Sequence, residues 1–86
     1  MVISNFLPLS QFQMGSLVQV EKIQLEGTMK RRLLDLGFIP GATVKVLQPS
    51  PLGDPVAYQV SNTTIALRKE ESSLIFGSLI GEDSDD

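Results

Sequence analysis

Neither cysteine nor histidine occurs in this chain of 86 residues, and the two absences exclude several kinds of chemistry. Without cysteine there can be no disulfide and no thiolate metal site. Without histidine, the commonest general base, the commonest transition-metal ligand and the usual near-neutral pH switch are all missing. No apolar run approaches the about 20 residues needed to cross a bilayer. The start, MVISNFLPL, lacks a basic n-region and a long apolar segment, so it does not read as a signal peptide, and a cytoplasmic location is expected. One tyrosine and seven bases give a poor stacking platform and a poor electrostatic funnel, so direct nucleic-acid binding is not expected. No repeat or interdomain linker divides the chain. The expected organisation is one small domain over residues 1–80 and an acidic, disordered tail over 81–86.

What is present is an ordinary globular composition, 42% hydrophobic and 20% charged, so stability must come from a packed aliphatic core. The formal net charge is −3. Four of the ten acids fall in the terminal Glu82-Asp83-Ser84-Asp85-Asp86; without them six acids face seven bases, a formal +1. The body is therefore near neutral with its bases clustered. Asn62-Thr63-Thr64 matches a glycosylation sequon, but without a secretory signal it is read as a turn.

The densest passage runs from Met29 to Val46, MKRRLLDLGFIPGATVKV. Met29, Leu33 and Leu36 recur at helical spacing and share one face. Thr28 is placed to cap the helix start, with Glu26 near the positive end of the dipole. Gly37 suits the left-handed position that closes such a helix. Pro40-Gly41 turns the chain, and Val44 and Val46 alternate with Lys45 as in a half-buried strand. Elsewhere, Ser10 is placed to cap a short turn through Phe12. Strands are expected near Leu17–Ile23, Thr43–Gln48, Val56–Val60 and Thr64–Arg68, with Ser61-Asn62 as the tight turn between the last two. Lys69–Ser72 reads as a helical turn, and Leu74-Ile75-Phe76, extended by Leu79-Ile80, as a closing strand. Five short strands and one small helix predict a mainly β, compact barrel or curled sheet.

LGF.PG in the first passage, then PLGDP (Pro51 to Pro55) and IALRKEE (Ile65 to Glu71), in that order and spacing, resemble the ferrous iron transport protein A family, FeoA. The resemblance covers about Leu9 to Phe76. It implies an SH3-like β-barrel with the basic helix packed against it. It also implies a non-enzymatic cytoplasmic accessory of ferrous iron uptake, which docks on and modulates a membrane Fe(II) transporter carrying a G-protein domain (FeoB type). The chain would then be peripheral to the membrane through its partner. Family members commonly have Ala where this chain has Ser72, a small change expected to affect local packing.

The residues themselves offer three candidate features. On the helix, Arg31 and Asp35 lie opposite the apolar stripe, Lys30 and Arg32 flank it, and Leu34 either packs under the N-terminal segment or is exposed. Lys30, Arg31 and Arg32 are read as a soluble face or as a docking patch for an acidic surface or phosphate, which Arg68 joins only if the fold brings it close. The proline-rich loop Pro49 to Pro55 is either a plain hairpin connection or a pre-ordered contact loop with Leu52 as anchor beside Asp54. The third feature, the acidic tail, offers oxygen ligands but no fixed geometry, so no metal site and no cofactor is assigned. Lys69-Glu70-Glu71 lacks an oriented nucleophile or a histidine, and no catalytic residue is assigned. The alternative reading is a nucleic-acid-associated or transcription-regulator-like SH3-like adapter, since small barrels serve both roles. Weak self-association through sheet edges, Leu34 or Leu79-Ile80 is a third.

Overall fold

A computed structural model describes residues 6–82. Its elements are β1 (Leu7–Pro8), a 3₁₀ turn (Leu9–Gln11), β2 (Ser16–Ile23), α1 (Gly27–Leu36), β3 (Thr43–Pro49), β4 (Val56–Val60), β5 (Thr63–Leu67), α2 (Lys69–Ser72) and β6 (Ile75–Glu82). All six strands belong to one antiparallel sheet in the order β1-β6-β2-β3-β4-β5. The mainly β, curled arrangement of short strands expected from the sequence is therefore present, with two differences. The described residues form six strands, not five, because Leu7 and Pro8 pair with Gly77 and Phe76. The sheet is also not closed by hydrogen bonds, since β1 and β5 remain at opposite edges. "Barrel" applies only loosely.

Alternation along the strands builds the core. Val18, Val20, Val44, Val46, Tyr58, Val60, Leu67 and Ile75 are all buried and form one cluster with Leu9, Leu33 and Phe38. Intervening residues such as Gln19, Lys45 and Gln59 are only partly buried, as period-two geometry requires. The β4–β5 hairpin turns through Ser61 and Asn62, both at positive φ (50° and 63°), the two-residue turn read from the sequence. The Pro40-Gly41 corner is held on β2, where Gly41 N–H donates to Val20 O (2.7 Å) and Val20 N–H to Ala42 O (2.8 Å).

Helix α1 ends as its sequence requires. Gly37 is left-handed at φ 110°. Its N–H donates to Leu34 O (3.1 Å), and the Phe38 N–H donates to Leu33 O (2.9 Å). This is the paired-bond closure in which residues flanking the glycine also make an apolar contact. Leu33 and Phe38 are both buried. Two expected caps are not used. Glu26, not Thr28, occupies the N-cap, in extended conformation and without a side-chain cap bond. The reason is Gly27, whose φ of 70° turns the chain into the helix two positions earlier than a Thr28 cap would. Likewise Pro8 precedes the 3₁₀ turn without a side-chain cap, so Ser10 falls inside it.

β6 continues to Glu82, two residues past Ile80; residues 83–86 of the acidic tail lie outside the described residues. Its pairing with β2 shifts register between Val20 and Lys22, where Gly77 lies against β2. A Cβ on Gly77 would collide with the Gln19 carbonyl oxygen and come within 2.6 Å of Val18 Cγ1. Gly77→Ala should therefore destabilise the fold by about 1–3 kcal/mol, the usual cost of overpacking a tight site. Urea unfolding followed by circular dichroism measures this; an unchanged midpoint would show that β2 and β6 separate easily.

Candidate functional site

The sequence candidates fall into three neighbourhoods. Lys30, Arg31 and Leu34 line an open depression on α1 together with Gly27, Thr28 and Asp35. Arg31 and Asp35 are exposed and Leu34 is half-buried, so Leu34 takes an intermediate position between the two alternatives read from the sequence. Two bases against one acid, with Leu34 among them, suit an acidic surface with an apolar contact.

Arg32 faces elsewhere. It lines a slot of about 50 Å³ between α1 and β5, with Met29, Leu36, Ile65, Ala66 and Glu71. Leu67 also lines this slot, so α1 and the β5–α2 junction are neighbours. Arg68 is exposed at this junction and does not line the slot, although Leu67 before it and Glu71 after it do. The run Lys30-Arg31-Arg32 is continuous in sequence but is split between two surfaces.

The loop from Pro49 to Pro55 is ordered by its own backbone and by one long-range bond. Ser50 N–H donates to Pro55 O (2.9 Å) and Gly53 N–H to Ser50 O (2.8 Å). Asp54 Oδ1 accepts the Lys69 N–H at 2.8 Å. A helix start leaves its first N–H groups without intrahelical partners. In α2 one carboxylate comes from within, as Glu71 Oε1 accepts the Arg68 N–H at 2.9 Å; the other comes from the loop. Leu52 stands at the tip, 95% exposed. The geometry therefore gives Asp54 the task of holding the loop, with Leu52 presented outward.

Sequence reasoning missed the support beneath this loop. Asp54, Ser10, Val56, Tyr58, Lys69 and Ser72 surround a cavity of about 180 Å³. The Tyr58 phenol is raised above its ordinary value of 10.0, chiefly by burial, with the Asp54 carboxylate adding to the effect and a hydrogen bond with Ser72 opposing it. Ser72 is itself buried at 1% exposure. Its hydroxyl thus has a polar neighbour where alanine would have none. The available signal was a lone tyrosine on the inward face of β4, which needs a partner for its hydroxyl when buried. Among the described residues, no group of three or more Asp or Glu side chains is placed to hold a metal ion.

If the Asp54 bond fixes the loop, Asp54→Ala should cost on the order of 1 kcal/mol, the usual value for a lost capping side chain. Asp54→Asn, which keeps the acceptor oxygen, should retain most of that stability. Urea denaturation of both variants makes the comparison; equal losses would assign the effect to charge, not to the hydrogen bond.

A family model described as the FeoA domain matches residues 7–79. A Porphyromonas gingivalis protein named Fe(2+) transport protein A/Fe(2+) transporter FeoB fusion protein is 32% identical over 76 residues, covering 88% of this chain and 9% of that protein. This chain therefore spans about a tenth of the length of that relative. The solution structure of FeoA from Chlorobium tepidum superposes with a TM-score of 0.83 at 31% identity, over 93% of this chain and 74% of that one. The crystal structure of Stenotrophomonas maltophilia FeoA complexed with zinc, described as a procaryotic SH3 domain protein, gives 0.72 at 32% identity, over 81% and 87%. With the LGF.PG passage closing its helix and the GDP-containing loop bonded to the LR.EE segment at Lys69, this chain belongs to the FeoA family of ferrous iron transport.

Proposed function

We propose that this chain is a non-enzymatic accessory that docks on the cytoplasmic region of a FeoB-type ferrous iron transporter and alters its activity. The observation that carries this reading is the relative in which transport protein A and the transporter are fused. Fusion makes an association intramolecular, so weak contacts suffice. A separate chain needs a surface that binds unaided, and two candidates are present: the Lys30, Arg31 and Leu34 depression and the anchored Leu52 loop. No helix among the described residues is long and apolar enough to cross a membrane, so contact with the bilayer would come through the partner.

The mechanism is differential binding. A docked module changes the transporter only if it prefers one of the transporter's conformations, and the shift is limited by that preference. Pre-ordering of the Pro49 to Pro55 loop lowers the entropy lost on contact. The reading as a nucleic-acid adapter has weaker support, since the described residues carry as many acids as bases.

The test titrates the full chain into the cytoplasmic G-protein region of its cognate transporter, with GDP and with a GTP analogue. Saturable binding is expected, tighter with one nucleotide than with the other. The double variant Lys30→Glu, Arg31→Glu should weaken it about tenfold or more, with the loss growing at low salt. Leu52→Ala should cost about 1–2 kcal/mol of binding, the value for removing an apolar side chain that becomes buried, and leave the unfolding midpoint unchanged. Full affinity in both variants would remove these surfaces from the interface.

A further inference from the structure

The two edges of the sheet are treated differently. β1 is two residues long and ends in Pro8, a blunted edge of the kind that prevents chance pairing. β5, Thr63-Thr64-Ile65-Ala66-Leu67, contains no charge and no proline and pairs with β4 in unbroken register. Nothing among the described residues pairs with its outer side.

The hairpin fixes which groups point outward. In a two-residue turn with both residues at positive φ, the flanking pair, Val60 and Thr63, exchanges both backbone bonds. Alternation assigns Ile65 and Leu67 to Tyr58 and Val56 in the same way. The N–H and C=O groups of Thr64 and Ala66 are then directed away from β4. Both residues are exposed. The slot beside them is lined by Met29, Leu36 and Arg32 of α1, with exposed Arg68 at the strand's end. Glu71 is the acid in this slot, and one of its oxygens is occupied by the Arg68 N–H.

We propose that the outer edge of β5 accepts an extended, acidic segment of the partner protein as an added strand. Its backbone would pair with Thr64 and Ala66 and its carboxylates would meet Arg32 and Arg68. The recognition is strand addition: main-chain bonds supply affinity, and flanking side chains supply the choice of sequence. Charge favours such a segment over a second copy of this chain. Symmetric β5–β5 pairing would bring the Arg32 and Arg68 of two copies to one seam. The proposal rests on the docking reading above and names the contact that reading leaves open.

The test measures amide hydrogen exchange of the full chain, alone and saturated with the transporter's cytoplasmic region, together with the affinity of Ala66→Pro. Proline is tolerated at an edge position whose N–H faces solvent, so this variant should fold, with the Ile65 and Leu67 amides protected as before. The expected result is slowed exchange at Thr64 and Ala66 on binding and about tenfold weaker binding for Ala66→Pro, the scale of one lost hydrogen bond that leaves its acceptor unpaired. Should the variant fail to fold, exchange in the unmodified chain decides alone. Binding with unchanged exchange at both amides overturns the strand addition but leaves docking intact. Protection that grows with the concentration of the chain alone gives the edge to a second copy and overturns the proposal. Absence of binding by the unmodified chain overturns the docking reading and this proposal with it.

Discussion

Leu33 and Phe38 hold the molecule together. An unclosed sheet of short strands needs an apolar element from outside it to complete a core, and here the requirement falls on one helix of ten residues. The left-handed Gly37 allows the helix to stop and double back, so that Leu33 from its last turns and Phe38 from the following segment join the same cluster. The position of α1 beside β5 follows from that packing, and with it the separation of Arg32 from Lys30 and Arg31. The charged surfaces are thus placed by the core beneath them.

Local chemistry accounts for what could be read from the sequence. Gly37, the Ser61-Asn62 turn and the valine alternation of β3 and β4 each rest on a short-range rule, and each appears where that rule places it. At the start of α1 two neighbouring residues compete: Thr28 offers a cap, but Gly27 offers a positive φ and sets the start. β1 was hidden because two residues carry no periodicity, and Leu7-Pro8 becomes a strand only through pairing with β6. The bond from Asp54 to the Lys69 N–H spans fifteen positions, beyond any rule of spacing. The surfaces were legible as residue types, whereas their grouping depended on how α1 docks.

The loop of Pro49 to Pro55 and α2 form one cooperative piece. The loop supplies a carboxylate to the helix start, the helix supplies Ser72 to the tyrosine, and the tyrosine anchors β4 in the core. A one-turn helix has little stability of its own, since nucleation costs more than so few bonds return. Its order is borrowed from the loop, and the loop's from it. This mutual dependence can keep an exposed leucine in one place without rigid secondary structure around it.

Tyr58 gives this junction an intrinsic optical label. The chain contains one tyrosine and no tryptophan, so ultraviolet emission above the weak phenylalanine background comes from a single ring. That ring lies under the loop, with Ser72 at its hydroxyl and the Asp54 carboxylate close by. Carboxylates and hydrogen-bond partners quench phenol emission according to their distance. Displacement of the loop is therefore written into the fluorescence of the unmodified protein, and the junction can be followed in real time without a dye.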